Sequence, residues 1–430
     1  MYQSPTSALK ADARIRCLFL MGSWVGGGAE RVTAKLMERV DTSRFDLRLG
    51  LLRASGHYLD SIDPARVIVA PQSEEHFRFE GENRALFKPA TLTKAAFHGP
   101  AAFRHIIEQV QPDVVMSFFK GTALLTWLAM RGLSSRPRWI IREGNNVLAV
   151  ADRESPNALI KSLSLRLTRH VYRKADAILT NSSDMACGLV GDLRLGATQV
   201  RMINNPIDLE AIAAAVAQPV DGLPERPFIV NVGRLAYQKG QDTLLSAYAS
   251  SGLWRTHDLV LLGEGPCLGE LQALASTLGV ASHVRFTGFV ANPYAWMARA
   301  DLMVQPSRWE GFPTALAEGL ACGVPVVHAD CSYGPRDIVE PGISGEIVPV
   351  DDAATLARVM ARMIADPAHR ARLIAAGKAR VQRFAVDAMV AHYETLFAEF
   401  GAERAAARLG LGRSEWPISA GLLREGNLPA

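Results

Sequence analysis

The sequence of 430 residues predicts an α/β protein of two doubly wound, Rossmann-like domains that face a cleft. Three observations carry this. Short apolar runs alternate with longer segments of helical period along the whole chain, the pattern of parallel sheets covered on both faces. Two such blocks stand in series, separated by a break rich in Pro, Gly and Asn. A hydrophobic share of 49%, with 21% charged residues, suffices for two buried cores at a length that suggests two or three domains.

In the first block the strand-like runs are 15–21, 45–52, 67–70, 113–119, 138–141, 177–181 and 199–203. Helical patterns fill the gaps, among them 30–40 and 157–174. Asn204-Asn205-Pro206-Ile207-Asp208 is turn-rich, and 218–227 holds three prolines and a glycine, so the linker falls within 205–226. In the second block the runs are 228–232, 259–262, 284–286, 302–305 and 324–328, with helical patterns at 241–249 and 266–278. The expected domains are 1–205, 206–385, and a C-terminal helix and tail, 386–430, returning to the first domain.

No apolar run reaches 18 residues, so a spanning helix is not expected. The N-terminal MYQSPTSALKADARIR lacks the apolar stretch of a secretory signal. Five scattered cysteines, none in a C-x-x-C pair, point to a reducing cytosol rather than a disulfide framework or zinc site. Charge is unevenly divided. Residues 1–207 hold 28 Lys/Arg against 19 Asp/Glu, net +9, and residues 208–430 hold 19 against 24, net −5. The basic half is expected to meet something anionic, with dispersed solubilising charge as the plain alternative.

The most informative stretch is 307–327, SRWEGFPTALAEGLACGVPVV. Glu310 follows a strand-like run and Glu318, eight residues on, lies about a turn inside a helical pattern. Both carboxylates are expected at the carboxyl end of a parallel sheet, where such sheets bind ligands. Two acidic acceptors there suit a ligand rich in hydroxyls, a sugar or a ribose. The plain alternative is one helix-capping and one solvated carboxylate. Upstream, Ile229-Val230-Asn231-Val232-Gly233-Arg234-Leu235 is a strand running into a loop, and Gln238-Lys239-Gly240-Gln241-Asp242 opens a helix. Arg234 and Lys239 beside a helix N-terminus suit a diphosphate.

These motifs together resemble the retaining glycosyltransferases of the GT-B fold, family 4. The stretch 307–327 matches their E-x7-E motif, and 233–240 their G-R-L…K-G segment. Leu261 to Pro266, Phe286 to Val290 and Cys331 to Val339 match three further strand ends. Met21 to Arg31 matches the Gly-rich N-terminal loop, which lacks dinucleotide-fingerprint spacing. The resemblance implies a nucleotide sugar held mostly by the second domain. Glu318 would bind ribose hydroxyls and Glu310 the sugar ring. Arg234 and Lys239 would stabilise charge growing on the leaving diphosphate, so Glu310, Arg234 and Lys239 are the candidate catalytic residues. Gly27, Gly28, Gly233, Gly288, Phe289, Gly311, Phe312 and Gly334 complete the implied donor site, with Gly334 opening a short helix that adds a second phosphate cradle. Three departures stand out: Pro313 where a second glycine is common, Tyr333-Gly334 for a Gly-Gly pair, and Glu143 where relatives carry a His. The Gly-Pro pair 334–335 resembles the subset that transfers galactose-type or N-acetylhexosamine units in polysaccharide and glycan assembly.

The implied reaction moves a hexose or N-acetylhexosamine, with retention, from a UDP-sugar to a glycan or lipid-linked saccharide. Retention here implies front-face attack, so Glu310 is not cast as general base. No D-x-D motif occurs and no metal or cofactor is expected. Acceptor candidates are Lys120, Arg142, Glu143 and Asn145, at two strand ends of the basic half. The segment 161–174 carries five cations, with Leu163, Leu167 and Val171 at helical spacing. It is read either as packing on its sheet or as meeting an anionic membrane surface. The implied location is cytoplasmic, peripheral on the inner face of the membrane, with no nucleic-acid partner. The competing readings are a nucleotide-sugar epimerase or phosphorylase, a non-catalytic binder of anionic polymer, and a two-domain NAD enzyme. Lys239→Ala and Glu318→Ala are expected to abolish transfer with the fold intact.

Overall fold

The computed structural model describes residues 13–24, 28–53, 62–70 and 89–410. The strands are β1 (Ile15–Ser23), β2 (Phe45–Arg53), β3 (Val67–Val69), β4 (Val114–Phe118), β5 (Arg138–Arg142), β6 (Ala177–Thr180), β7 (Val200–Met202), β8 (Phe228–Val232), β9 (Asp258–Leu262), β10 (Val284–Gly288), β11 (Leu302–Gln305), β12 (Val326–Ala329) and β13 (Glu346–Val348). The α-helices are α1 (Gly28–Arg39), α2 (Pro89–Val110), α3 (Phe119–Ala129), α4 (Val147–Glu154), α5 (Ala158–Tyr172), α6 (Ser183–Gly191), α7 (Leu209–Val216), α8 (Gln241–Ser251), α9 (Leu268–Thr277), α10 (Pro293–Met297), α11 (Thr314–Cys322), α12 (Pro335–Ile338), α13 (Ala353–Ala365), α14 (Pro367–Val381) and α15 (Val386–Arg408).

The chain divides into two compact units, one of Met1–Asn181, Ala186–Asn204 and Asp387–Ala430, the other of Ser182–Met185 and Asn205–Val386. Each is built on one sheet whose strands all run parallel. In the first unit the order is β3-β2-β1-β4-β5-β6-β7. From Asp387 onward α15 belongs to this unit. Phe397 meets Phe19 and Phe45 at 5.8 and 6.1 Å between ring centroids. Arg408 donates to the buried carboxylate of Asp113 at 3.1 Å. At Gly401 a Cβ would lie 2.4 Å from Ile15 Cγ2, so the helix rides directly on β1.

In the second unit the order is β10-β9-β8-β11-β12-β13. Side chains alternate between two cores, one on each face. Phe228, Val230, Val260, Met303 and Val326 join one cluster, whereas Ile229, Leu259, Leu261, Val304 and Val327 join the other. Each of the twelve expected strands is present, with ends shifted by a residue or two. Pro325 has no N–H to give to the ladder, so β12 begins at Val326 rather than Val324. The short β13 has no strand counterpart in the sequence reading, because three residues among glycines show no period.

Candidate functional site

The second sheet reverses its strand order between β8 and β11. The connections leaving these neighbours run to opposite sides, and a crevice opens at their carboxyl ends. The loop after β8 carries Gly233, Arg234 and Lys239. The loop after β11 carries Ser307, Glu310, Gly311 and Phe312.

The two loops are fastened to each other. Arg308 donates its backbone N–H to Gln238 O at 2.7 Å and its Nη1 to Tyr237 O at 2.7 Å. Its guanidinium lies 4.1 Å over the Tyr237 ring and pairs with Asp242 at 2.7 Å. Gln238 Nε2 donates to Trp309 O at 2.9 Å. Gly240, at φ +65°, starts α8 where a Cβ would stand 2.1 Å from Pro306 O. Only glycine takes that conformation in that space.

The fastening brings Lys239 Nζ to 2.7 Å from Glu310 Oε1, with side-chain exposures of 24% and 8%. Ser307 Oγ donates to the same oxygen at 2.6 Å. Burial pushes the Glu310 carboxyl up, but the Lys239 ammonium and the Ser307 hydroxyl outweigh it and hold its pKa below the ordinary carboxylate value. The result is an ionised carboxylate paired with a cation at a strand mouth.

Beneath the pair runs a buried polar row that sequence reasoning missed. Asn231, Gln305 and His328 are the last or next-to-last residues of three adjacent strands, and all three are buried. Asn231 Nδ2 donates to Val304 O at 2.7 Å, and Gln305 Nε2 to Val232 O at 2.8 Å. His328 Nδ1 lies 2.6 Å from Ala329 O, and no partner meets its buried Nε2. That carbonyl requires the proton on Nδ1 and leaves Nε2 an acceptor. Burial lowers the His328 pKa, against the pull of Glu310, so the ring stays neutral. Asparagine, glutamine and histidine at the end of an apolar run were the available signal.

Other expected residues are distributed as follows. Arg234 is exposed beside Gly233. Glu318 is buried in α11, and Tyr294 Oη of α10 donates to its Oε1 at 3.0 Å. Gly288, at φ +73°, ends β10 and already receives the Gly263 N–H on its carbonyl at 2.9 Å. The Phe289 N–H reaches Glu264 Oε1 at 3.3 Å and its ring is exposed. The backbone groups expected to meet a base edge thus have protein partners. Phe312 is buried, and its ring meets Phe384 edge-on at 5.3 Å. Gly334, at φ +93°, abuts Gly311, whose carbonyl would stand 2.7 Å from a Cβ there. Tyr333 beside it has φ +76°, a left-handed conformation that glycine takes without cost. The helix it leads into, α12, is a single turn with Pro335 at its start, so it offers few N–H groups for the expected second cradle. Gly28 begins α1 with open space around it, and Gly27 lies outside the described residues.

A model of the glycosyl transferases group 1 matches residues 218–380, and one of glycosyltransferase family 4 matches 26–211. The chain belongs to the group 1 glycosyltransferases. It is 28% identical over 369 residues to the N-acetylgalactosamine-N,N'-diacetylbacillosaminyl-diphospho-undecaprenol 4-alpha-N-acetylgalactosaminyltransferase of Campylobacter jejuni, covering 85% of this chain and 94% of the relative. To the lipopolysaccharide core biosynthesis glycosyltransferase LpsE of Rhizobium meliloti it is 31% identical, over 53% of this chain and 65% of the relative. Among solved structures, HepE of Anabaena, in complex with UDP and glucose, superposes with a TM-score of 0.72 at 21% identity, over 89% of this chain and 99% of that one. Both units thus have the sheet architecture of GT-B glycosyltransferases.

In the first unit of this glycosyltransferase the acceptor candidates diverge. Arg142, expected at an open edge, is buried: its Nε donates to Tyr393 Oη at 2.9 Å, and its guanidinium lies 5.5 Å over the Phe118 ring. Glu143 is buried too. It accepts the N–H groups of Gly144 and Asn145 at 3.0 Å and the Tyr172 hydroxyl at 2.5 Å. Burial raises its pKa in spite of these bonds. Both side chains therefore organise the loop from within. Asn145 is exposed and Lys120 half-buried. Lys120 follows Phe119, whose φ of +63° marks a sharp turn from β4 into α3. The stripe 163–167–171 divides: Val171 is buried, whereas Leu163 and Leu167 are exposed.

Proposed function

We propose that this glycosyltransferase moves a hexose or N-acetylhexosamine, with retention and without a metal, from a UDP-sugar to a glycan or lipid-linked saccharide. The observation that carries this reading is the Lys239–Glu310 pair at the switch point of the second sheet. Lys239 and the exposed Arg234 supply fixed positive charge where a leaving diphosphate needs it, and preorganised charge of this kind is worth more than the same charge in water. Glu310, ionised and paired, is a poor proton acceptor and a good partner for sugar hydroxyls. That fits front-face attack, with the leaving phosphate taking the acceptor's proton, better than the two-carboxylate route of glycosidases. Glu318 is assigned to the ribose. Gly233, Gly311 and Gly334 are assigned to the donor side through their backbones, and Lys120 and Asn145 are kept as acceptor contacts. The names of the Campylobacter and Rhizobium relatives, one acting on a diphospho-undecaprenol saccharide and one in lipopolysaccharide core biosynthesis, support the acceptor class.

The test is a thermal-shift titration with UDP, GDP and ADP in the presence of chelator. Ligand that binds only the native state raises its stability. A shift with UDP alone that is lost in Arg234→Ala supports the reading. A shift with GDP alone keeps the transferase and changes its donor; a relative 38% identical over 168 residues is a GDP-mannose-dependent mannosyltransferase. No shift with any of the three removes the site assignment.

A further inference from the structure

We propose that the exposed face of α5 docks on an anionic lipid surface. This helix turns Thr168, Val171 and Tyr172 inward. Its other side carries Leu159, Leu163 and Leu167, exposed by 78%, 65% and 42%. Residues spaced by four lie along one side of a helix, and a globular protein ordinarily turns such a stripe into its core. The neighbouring row, Ser162, Arg166 and His170, is also exposed, and exposed Arg173 and Lys174 follow at the carboxyl end. No acidic residue occurs from 158 to 174. Lys161, on the flank, pairs with Asp152 of α4. At the rim, Trp127 of α3 meets the His170 ring edge-on at 5.5 Å, and Arg131 lies 4.8 Å over the Trp127 ring. Tryptophan beside cations is the composition of a membrane–water boundary.

Charge decides the occupant. In a second copy of this chain, two-fold symmetry would set the same face against itself, Arg166 and Lys174 against like charges. An anionic bilayer meets the cations with opposite charge and takes the leucines into its acyl boundary. Among the described residues no helix is long and apolar enough to cross a membrane, so the contact is one of lying on the surface. It stands apart from the donor reading, and its test uses no activity.

The experiment is co-sedimentation of the full chain with vesicles of phosphatidylcholine alone and of phosphatidylcholine with equal phosphatidylglycerol. The wild-type chain is expected to bind the second and not the first, and to be released by high salt. A leucine withdrawn from an apolar boundary costs about tenfold in partition. Leu159→Ser/Leu163→Ser/Leu167→Ser, all at exposed positions, should therefore lose about 100-fold or more, with an unchanged melting temperature and an unchanged nucleotide-induced shift. Arg166→Glu/Lys174→Glu should lose about tenfold. Equal binding to both vesicles, undiminished binding by the triple variant, or self-association in solution abolished by the same leucine changes would overturn the proposal.

Discussion

The Lys239–Glu310 pair makes a prediction that sequence spacing does not. Spacing alone expects Lys239→Ala to remove activity and leave the fold untouched. In the structure Lys239 is the counter-charge of a carboxylate that is 8% exposed. Removing one member of a buried pair leaves the other uncompensated, at a cost of about 3–5 kcal/mol. Two features lower that figure. Lys239 keeps 24% of its side chain exposed, so water screens part of the attraction. Ser307 still donates to the stranded oxygen. We therefore expect Lys239→Ala to destabilise the chain by about 2–3 kcal/mol at neutral pH. Glu310→Gln keeps an acceptor for both donors and should cost about 1 kcal/mol. In the double variant no carboxylate is left uncompensated, so the losses should overlap, with a coupling energy of about 1–2 kcal/mol. Urea unfolding of the four proteins at pH 7.5 reads this directly. A coupling energy under about 0.5 kcal/mol would refute the view that the two loops are held as one charged unit. Acid offers a second check. The Glu310 pKa is lowered in the folded state, so its contribution is present above the ordinary carboxylate value and is lost as pH falls through the lowered one.

Three further outcomes are expected. Gly240→Ala places a Cβ 2.1 Å from a backbone oxygen at φ +65°, so it should lower the melting temperature more than any exposed-loop glycine change and weaken nucleotide-induced stabilisation, both read in one thermal-shift series. Tyr294→Phe removes the hydroxyl that meets buried Glu318 at 3.0 Å; an expected loss of about 1–2 kcal/mol in urea unfolding should come with a raised donor KM, and unchanged values of both would discard that contact. His328 is buried with a lowered pKa, so the folded state resists its proton: its stability contribution is full above about pH 6.5 and is lost as pH falls from there through the folded pKa. His328→Gln should flatten the melting-temperature profile below pH 6.5; His257, also lowered by burial, leaves a residual slope.

How far the molecule is legible from its sequence depends on where each residue's partners lie. The strands were readable because a run such as Phe228–Val232 declares itself within five residues, through Phe228, Ile229, Val230 and Val232. Glu310 and Lys239 were readable one at a time, each from a local motif. Their pairing was not, since 71 residues separate them and only the parallel alignment of β8 with β11 brings them together. Arg142 shows the same limit with the opposite sign. An arginine closing a strand reads as a charge reaching for solvent; it is buried because Tyr393, 251 residues on, comes back on α15 to accept a hydrogen bond from its Nε–H. Phe312 sits inside the most recognisable motif of the chain, yet Phe384 claims its ring for the core. A motif therefore marks where backbone and charge converge, while the assignment of each side chain to ligand or core follows from contacts that only the fold supplies. His328 carries that logic furthest: a histidine closing an apolar run is legible as a polar residue, but its unpartnered Nε2 becomes visible only when β12 is laid beside β11.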